Sequence, residues 1–384
     1  MIVVIGSALC AVAFSLEFSP SESPASSVEY SSERELAGNA ALVRLEEIRQ
    51  KRDWPSLSVA VGYDGRLLWA GAVGFSDVSE TKEATPDTRY RVGSVAKPMT
   101  ATALAQQVGD GILAYRDSLH EYVPNVPKHW ADISLLQLAN HTAGIRHYRK
   151  GLPGLFETFS NRQYENVGDA LMVFKEDPLE FEPGTRYRYS SYGYNLLSAA
   201  MEGAEGKEYL ELMRDRIFHP ADMRDTFPEH VAGRSEIANM ATPYFLYKGL
   251  LMKTPAVNTS VKWAGGGFVS TPSDLVRFGL HLSNDHYIGE DARKFMWTIA
   301  QLNDGLESPG SYGLGFRKTM MKNIQSISHG GNSIGGTSYF AIYPNQKLIV
   351  AVASNVTDLS GEERIEDYLE LALLFAKPNA LTFR

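Results

Sequence analysis

The pattern of hydrophobic positions predicts β-strands near both ends of the chain. LSVAVGY and RLLWAGAVGF, which flank an Asp-Gly turn, have the pattern of a β-hairpin. Strand patterns return late, in YGLGFR, NIQSISH, TSYFAIYP and KLIVAVASN. Short turns such as PNQ join these late segments, and short turns connect antiparallel strands. We therefore expect one antiparallel sheet that is assembled from both ends of the sequence.

Helical periodicity dominates the rest of the chain. It runs from near Leu36 to Arg52 and returns in a last amphipathic segment after Gly361. Between Ser94 and about Leu302 the helical segments are MTATALAQQVGDG, ISLLQLANHT, VGDALMVF, GYNLLSAAMEGAEG, KEYLELMRDRIF and TPSDLVRFGLHL. The predicted fold class is therefore α+β: an antiparallel sheet flanked by N- and C-terminal helices, with a large all-helical insert.

Strands at both ends of the sequence predict a discontinuous domain. We expect residues 33–95 and 303–384 to form the α/β sheet domain, and residues 96–302 to form a mainly helical domain. Residues 1–32 are expected to be a leader and a linker. The linker, SPSESPASSVEYSSERE, is rich in Ser, Glu and Pro and has little to bury.

The first segment, MIVVIGSALCAVAFSLEF, is an apolar run of about 15 residues, which suits the core of a signal peptide better than a bilayer span. It lacks a basic start, and its only suggestion of a cleavage site is Ala-Val-Ala. A mitochondrial transit peptide fits less well, because Glu17, Glu22 and Glu29 precede the first arginine, Arg34. We expect an exported protein, periplasmic or secreted, or one attached to a membrane through this segment.

Composition narrows the classes of function. The chain is 44% hydrophobic and 21% charged, as in ordinary globular proteins. A net charge of −8 argues against a nucleic-acid partner, because no basic face is available to neutralise phosphates. Cys10 is the single cysteine, which excludes disulfides and cysteine-based metal sites, and the nine histidines include no HExxH pair. We expect neither a metal nor a cofactor.

RVGSVAKPMT contains a serine and a lysine at a spacing that suits nucleophilic catalysis. A helix starting near Ser94 puts Lys97 on the same face, one turn away, and Pro98 is tolerated in a first turn. Serine is a weak nucleophile unless a neighbouring base takes its proton. Burial lowers the pKa of a lysine, so that the lysine can serve as that base. A surface lysine near a capping serine is the alternative for this stretch alone.

EPGTRYRYSSYGYNLLSAA combines a turn, a short extended piece and a helix from about Gly193. Tyr189 lies just before that helix. A tyrosine near a lysine cation can approach the tyrosinate form and shuttle protons. The alternative is a packing cluster of tyrosines, which is our interpretation of Tyr187, Tyr192 and Tyr194.

NIQSISHGGNSIGGTSYFAIYP is predicted as a strand, a glycine-rich crossing and a second strand. His329 would end the first strand, and Gly330 and Gly331 would let a substrate lie along the backbone. Backbone N–H groups there can complete an oxyanion hole with the N–H of Ser94, each such donor lowering the barrier by about 2.7–4 kcal/mol. Ser333 lies in a G-x-S-x-G pattern, but that motif needs a helix after the serine, and a strand follows here.

Two other stretches are open to both structural and functional interpretation. Trp263, followed by Gly265–Gly267, would line a substrate pocket or pack in the core beside a tight turn. His141, Arg146 and His147 follow a helix in HTAGIRHY, and we interpret them as structural.

These stretches together resemble the serine β-lactamase-like and penicillin-binding superfamily. The motif order is the same: Ser-x-x-Lys early, a tyrosine motif in mid-chain and a third motif on a late strand. The chain is most similar to the branch that holds class C β-lactamases, related esterases and D-amino-acid peptidases. Within it, HTAGIRHY, YSSYGYNLLSA and KWAGGGFVSTPSDLVRFG resemble the mitochondrial serine β-lactamase-like proteins and their bacterial relatives. The resemblance covers about Leu57 to Asn355 and implies a β-lactamase/transpeptidase-like fold with its site between sheet and insert.

The resemblance also implies roles for individual residues. Ser94 would be the nucleophile, and Lys97 its base or the partner of that base. Tyr189 would be the proton shuttle to the leaving group and to the deacylating water. The N–H groups of Ser94 and Asn332 would form the oxyanion hole.

Two motifs depart from the family pattern. Tyr-x-Asn is here Tyr189-Ser190-Ser191, so a hydroxyl replaces an amide, and Lys-Thr-Gly is here His329-Gly330-Gly331. Histidine is mostly neutral near pH 7, so the permanent cation for a β-lactam carboxylate is missing. The predicted substrate-binding residues are Ser191, His329, Gly330, Gly331, Asn332 and Trp263.

The sequence therefore predicts a serine hydrolase that acts through an acyl-enzyme on an ester or peptide (amide) bond of a small-molecule substrate. One alternative is a β-lactamase or a penicillin-binding D-peptidase. A second alternative is a non-catalytic scaffold or self-assembling protein on the same fold. The sequence leaves the oligomeric state and the natural substrate open.

Overall fold

The computed structural model describes residues 23–29, 35–229, 237–358 and 365–376. Its main sheet has the order β1-β3-β2-β13-β12-β11-β10, with β4 paired to β3, and every pair in it is antiparallel. The strands are β1 Ala25–Glu29, β2 Ser56–Tyr63, β3 Arg66–Asp77, β4 Lys82–Glu83, β5 Tyr90–Arg91, β6 Phe227–Pro228, β7 Tyr244–Tyr247, β8 Leu250–Lys253, β9 Phe268–Ser270, β10 Arg317–Met321, β11 Ile324–Ser333, β12 Gly336–Tyr343, β13 Leu348–Ser354 and β14 Val356–Asp358.

The helices occupy both faces of this sheet. They are α1 Glu35–Lys51, α2 Ala96–Gly109, α3 Leu135–Ala139, α4 Gly151–Thr158, α5 Val167–Leu171, α6 Ser191–Glu205, α7 Tyr209–Met213, α8 Trp263–Gly266, α9 Pro272–Leu282, α10 Asp285–Ile288, α11 Glu290–Met296 and α12 Ile365–Leu373. Short 3₁₀ turns include Gly93–Val95 and Ser260–Lys262.

The side chains of the central strands alternate between the two faces of the sheet, and each face packs against a layer of helices. In β13, Leu348, Val350 and Val352 face the core shared with α1 and α12, whereas Ile349 and Ala351 face α9 and the helical region. Successive side chains of a strand point to opposite faces, so a strand buried on both faces is apolar throughout. The sheet is therefore the middle layer of the molecule.

The predicted hairpin is confirmed, and its turn has a local cause. Asp64 and Gly65 join β2 to β3 with φ angles of 48° and 82°. Two-residue hairpin turns with positive φ at both positions match the twist of the flanking strands, and Asp-Gly is a favoured pair for them.

Four expectations about local structure are wrong. The linker contains strand β1, which pairs with the edge of β3 but keeps most of its side chains exposed, so it has no hydrophobic signal. YGLGFR is extended only from Arg317, because Ser311 and Gly315 adopt positive φ. The glycine-rich crossing after His329 is instead continuous strand to Ser333. The insert is not purely helical, since it contributes β6–β9 to two small sheets.

The predicted leader, residues 1–22, lies outside the described residues. Within the part of the chain that the structure describes, no helix combines the length and the apolar character needed to cross a membrane.

Asp77, at the end of β3, connects the sheet edge to the segment before β7. Burial by itself would raise the pKa of Asp77, but hydrogen bonds from Ser79, Thr242 and Tyr244 outweigh it and lower the pKa to about 2. A carboxyl whose pKa is lower in the folded state stabilises the fold at neutral pH, and that contribution disappears as the pH falls towards the folded pKa.

We therefore predict that Asp77→Asn unfolds at a lower urea concentration than wild type at pH 7, and that the difference narrows between about pH 4 and about pH 2. Urea titrations followed by circular dichroism at several pH values measure this difference. A difference that stays constant down to pH 2 would contradict the assigned role of Asp77.

Candidate active site

Ser94 lies in a tight turn that is held from two sides. It is in the 3₁₀ turn Gly93–Val95, which leads directly into α2. The N–H of Val92 donates to the Phe268 carbonyl at 3.2 Å, and Ser338 Oγ donates to the Val92 carbonyl at 2.7 Å. These bonds fix the turn between β9 and β12, so the expected nucleophile projects from a rigid support.

Glycine at position 93 is required by a close approach of two backbones. Gly93 has a φ of 49°, and a Cβ there would lie 2.7 Å from the Asn332 carbonyl oxygen. A Cβ at Gly331 would lie 2.1 Å from the Val92 carbonyl oxygen. The main chain of Asn332 is therefore packed against the turn that carries Ser94, as the expected oxyanion hole requires.

A buried ion pair supports this contact. Arg91 donates to both carboxylate oxygens of Glu229, at 2.6 and 2.8 Å, and also donates to the carbonyl of Ile334 in the β11–β12 turn. Both charged side chains are fully buried. Removing one partner of a buried pair typically costs about 3–5 kcal/mol, because the other charge is left uncompensated. Arg91 thereby connects the strand before Ser94 to the turn after Asn332.

The Lys97 ammonium group is completely buried and makes three contacts. Its Nζ lies 3.1 Å from Ser94 Oγ, 3.0 Å from Ser191 Oγ and 2.6 Å from the Gly265 carbonyl oxygen. Burial, followed by the charge of Lys262, lowers the pKa of Lys97 well below its usual range. A neutral amine has two N–H donors and one lone pair. The Gly265 carbonyl can only accept, so with Ser191 as the second acceptor the lone pair is directed at Ser94.

Tyr189 lies on the other side of the same lysine. Its ring centroid is 4.7 Å from Lys97 Nζ, and its hydroxyl is buried near Ser94 without a hydrogen-bond partner among the described residues. Burial raises the pKa of Tyr189 far more than the interaction with Ser94 lowers it. Burial therefore favours the protonated Tyr189 hydroxyl over the tyrosinate form.

The histidines of the site are neutral. Burial lowers the pKa of His329 to about 3, and burial likewise lowers the pKa of His147 to about 3. His329 Nδ1 faces the Gly330 carbonyl at 2.6 Å and therefore carries the proton, which leaves Nε2 to accept from the Tyr312 hydroxyl at 2.9 Å. A protonated His329 is thus not available to a substrate carboxylate.

An open cleft of ≈ 510 Å³ brings most of the predicted residues together. Its described lining includes these predicted residues: Ser94, Tyr189, Ser191, His329, Gly330, Gly331 and Asn332. Lys97 lies directly behind Ser94, as its 3.1 Å contact shows. Ser333 also lines the cleft, but β12 follows it rather than a helix, so the G-x-S-x-G context is absent.

The structure corrects one predicted binding residue and adds others. Trp263 is packed in the hydrophobic core and not in the cleft lining, because the first turn of α8 directs its indole inward; Gly265 and Gly266 line the cleft instead. The lining residues that the sequence analysis missed include His147, Tyr148, Lys262 and Arg317. Of these, His147 was interpreted as structural, and the other three carry no spacing signal.

His141 and Arg146 have the structural roles that HTAGIRHY suggested. His141 is buried among the rings of Tyr189, Tyr194 and Tyr312, and its Nδ1 accepts the Ser190 N–H at 3.2 Å. Arg146 forms ion pairs with Glu157 at 3.0 Å and Asp177 at 2.6 Å. His141 therefore holds the segment that presents Tyr189 and Ser191.

The site offers no metal-binding cluster within the described residues, where no group of three or more His, Cys, Asp or Glu side chains could hold an ion. The chemistry that the arrangement supports is proton transfer and addition at a serine oxygen. The buried Lys97 Nζ contacts Ser94 Oγ, the Tyr189 phenol lies beside it, and the main chain of Asn332 packs against the turn that carries Ser94.

Comparison with known proteins matches residues 44–375 to the Beta-lactamase family. The human mitochondrial serine beta-lactamase-like protein LACTB is 28% identical over 392 residues, covering 79% of this chain and 71% of that protein. A penicillin-binding protein of Bacillus subtilis (strain 168) is 24% identical over 334 residues, covering 84% and 72%. The solved D-amino acid amidase from Ochrobactrum anthropi SV3 has a TM-score of 0.74 at 22% identity and covers 87% of this chain and 97% of that one.

The protonation states lead to a prediction about pH. Because Lys97 must be neutral to accept a proton, the rate at which a phosphonate probe labels Ser94 should rise with pH through the Lys97 titration. We expect His147→Gln and His329→Gln to leave the midpoint of that rise unmoved between about pH 5 and about pH 10, since both histidines are neutral over that range. Mass spectrometry of the adduct against time gives the rates. A midpoint shift in either variant would identify that histidine as the base.

Proposed function

The chain belongs to the β-lactamase family, and we propose that Ser94 is the nucleophile through which this serine hydrolase forms an acyl-enzyme. The observation that carries the proposal is the 3.1 Å contact between Ser94 Oγ and the buried Lys97 Nζ, where burial lowers the pKa of the lysine well below its usual range. A serine becomes an effective nucleophile when an adjacent base takes its proton. The proposed reaction is hydrolysis of an ester or amide bond.

In the proposed acylation, Ser94 Oγ attacks the substrate carbonyl carbon and its proton passes to Lys97 Nζ. The backbone N–H groups of Ser94 and Asn332 stabilise the negative oxygen of the tetrahedral intermediate. The bond to the leaving group then breaks, and the Tyr189 hydroxyl supplies the proton that the leaving group needs. Lys97 returns a proton to Tyr189 and is restored to the neutral amine.

Deacylation uses the same groups with water as the nucleophile. Water adds to the acyl carbonyl, Lys97 takes its proton through Tyr189, and the oxyanion is held by the same two N–H groups. Collapse of this intermediate breaks the bond to Ser94 Oγ, and Lys97 returns its proton to that oxygen. Burial supports this division of roles, because it lowers the pKa of Lys97, raises the pKa of Tyr189 and so disfavours the charged form of both.

For location, we propose export or attachment to a membrane. The support is the apolar run at residues 1–18, which lies outside the described residues. Similar proteins include a mitochondrial one and a bacterial penicillin-binding one.

The nucleophile is tested by mass spectrometry of the intact protein after exposure to a phosphonate probe for activated serines. We expect one adduct on wild type and none on Ser94→Ala, with ester turnover reduced at least about 1000-fold in the variant. The two proteins should have the same thermal unfolding midpoint, since Ser94 is at the cleft surface. An adduct on Ser94→Ala would contradict the assignment. A folded wild type that takes no adduct would favour a non-catalytic scaffold.

The second candidate function is a β-lactamase or penicillin-binding D-peptidase. It is favoured by the family and by the intact Ser94, Lys97 and Tyr189. Against it, His329 is neutral and Ser191 replaces the family amide, so we predict that benzylpenicillin acylates Ser94 more slowly than a small neutral ester does. Adduct formation measured by mass spectrometry for both reagents tests this order. Faster acylation by benzylpenicillin would make the second candidate the primary function.

A further inference from the structure

The cleft is basic although the protein is acidic. The whole chain has a net charge of −8, yet no Asp or Glu occurs among the described residues that line the cleft, whereas Arg52, Lys262 and Arg317 do. Basic side chains in a cleft with low-dielectric walls concentrate an anionic ligand there. The charge distribution thus distinguishes this cleft from the rest of the surface.

Lys262 is fixed next to the proposed catalytic groups. It ends the 3₁₀ turn Ser260–Lys262 and immediately precedes α8, in which the Gly265 carbonyl accepts from Lys97. Its charge is close enough to lower the pKa of both Lys97 and His147. Lys262 is half-buried at the cleft wall, and among the described residues its ammonium group has no hydrogen-bond or ion-pair partner.

The nearby carboxylate of Glu229 does not neutralise Lys262. Both Glu229 oxygens accept from Arg91, so Arg91 compensates that charge. Burial and then Arg91 lower the pKa of Lys262 to about 8, while Glu229 raises it. Lys262 is therefore mostly protonated at pH 7, and it lines the cleft.

Two other cations line the cleft. Arg52 is paired with Asp367 at 3.9 Å. Arg317 is also engaged. Its Nη1 donates to the Gly310 carbonyl at 2.8 Å, and its guanidinium carbon lies 5.5 Å from the ring centroid of Tyr312. These contacts show that Arg317 stabilises the segment that precedes β10. Lys262 differs from both arginines because its ammonium group has no hydrogen-bond or ion-pair partner among the described residues, so all its donors are available to a ligand.

We propose that Lys262 binds a carboxylate group of the substrate, so that the enzyme selects acidic esters or amides over neutral ones. This inference rests on the proposed function, because the carboxylate is bound while the substrate carbonyl lies at Ser94. Lys262 approaches from the α8 wall and provides the positive charge that neutral His329, on β11, lacks. A charge-assisted hydrogen bond in a partly buried site should favour the acidic ligand by about 10- to 100-fold.

Two boronic acids differing by one group test this preference. Phenylboronic acid and 3-carboxyphenylboronic acid both react when Ser94 Oγ adds to the trigonal boron and the serine proton passes to Lys97. The product is a tetrahedral boronate that resembles the acylation intermediate. Inhibition constants come from the slowing of phosphonate labelling, so the assay needs no natural substrate.

The variants distinguish binding of the carboxylate by Lys262 from the effect of Lys262 on the pKa of Lys97. Lys262→Met removes the charge at similar length, Lys262→Arg retains it, and Lys318→Met removes an exposed charge outside the cleft as the matched control. Removing Lys262 also raises the pKa of Lys97, which changes binding of both acids together. The ratio of the two inhibition constants is therefore the readout, and binding of phenylboronic acid shows that each variant is folded.

We expect wild type, Lys318→Met and, more weakly, Lys262→Arg to prefer 3-carboxyphenylboronic acid, and Lys262→Met to bind both acids equally. Equal binding by wild type, or a preference that survives in Lys262→Met, would overturn the anion site. So would the absence of protection by either acid while the phosphonate still labels Ser94. A folded wild type that the phosphonate does not label would overturn the proposed function, and the anion site with it.

Discussion

Burial of the Lys97 side chain is the constraint on which the rest of the site depends. A buried ammonium without a carboxylate partner is strongly disfavoured, so the group releases its proton and remains as an amine. Three fixed neighbours then determine where its lone pair points. The same exclusion of water keeps the Tyr189 phenol protonated. One physical cause therefore gives a base and an acid side by side, because burial disfavours the charged form of each.

The second requirement is contact between backbones. Gly93 and Gly331 leave room for β11 to lie directly on the turn that carries Ser94, where any Cβ would collide with a carbonyl group. Arg91 stabilises that contact, because it pairs with Glu229 and donates to the Ile334 carbonyl in the turn after β11. The N–H groups of the proposed oxyanion hole come from segments far apart in sequence, so their spacing is set by this packing and by no local motif.

The sequence predicted those parts of the molecule that have a local signal. The β2–β3 hairpin follows from alternation and an Asp-Gly turn, and Ser94, Lys97 and Tyr189 follow from short motifs whose order resembles a family. Lys262 and His147 were missed because nothing in their neighbours in sequence indicates that they face a cleft. Trp263 was placed in the pocket because adjacent glycines suggested a binding loop, whereas the direction of its indole depends on the packing of α8.

The order of strands has a consequence for the newly made chain. Central strand β2 pairs on one side with β13. The backbone of Asn332 belongs to β11. Both β11 and β13 are synthesised long after Ser94. A chain that has left the ribosome only as far as β10 has its serine and lysine, but it has neither the middle of its sheet nor the second N–H donor of the proposed oxyanion hole. Such long-range pairing is slow to form. A nascent chain therefore cannot form the complete proposed site until its final hairpins have been synthesised and have packed onto the sheet.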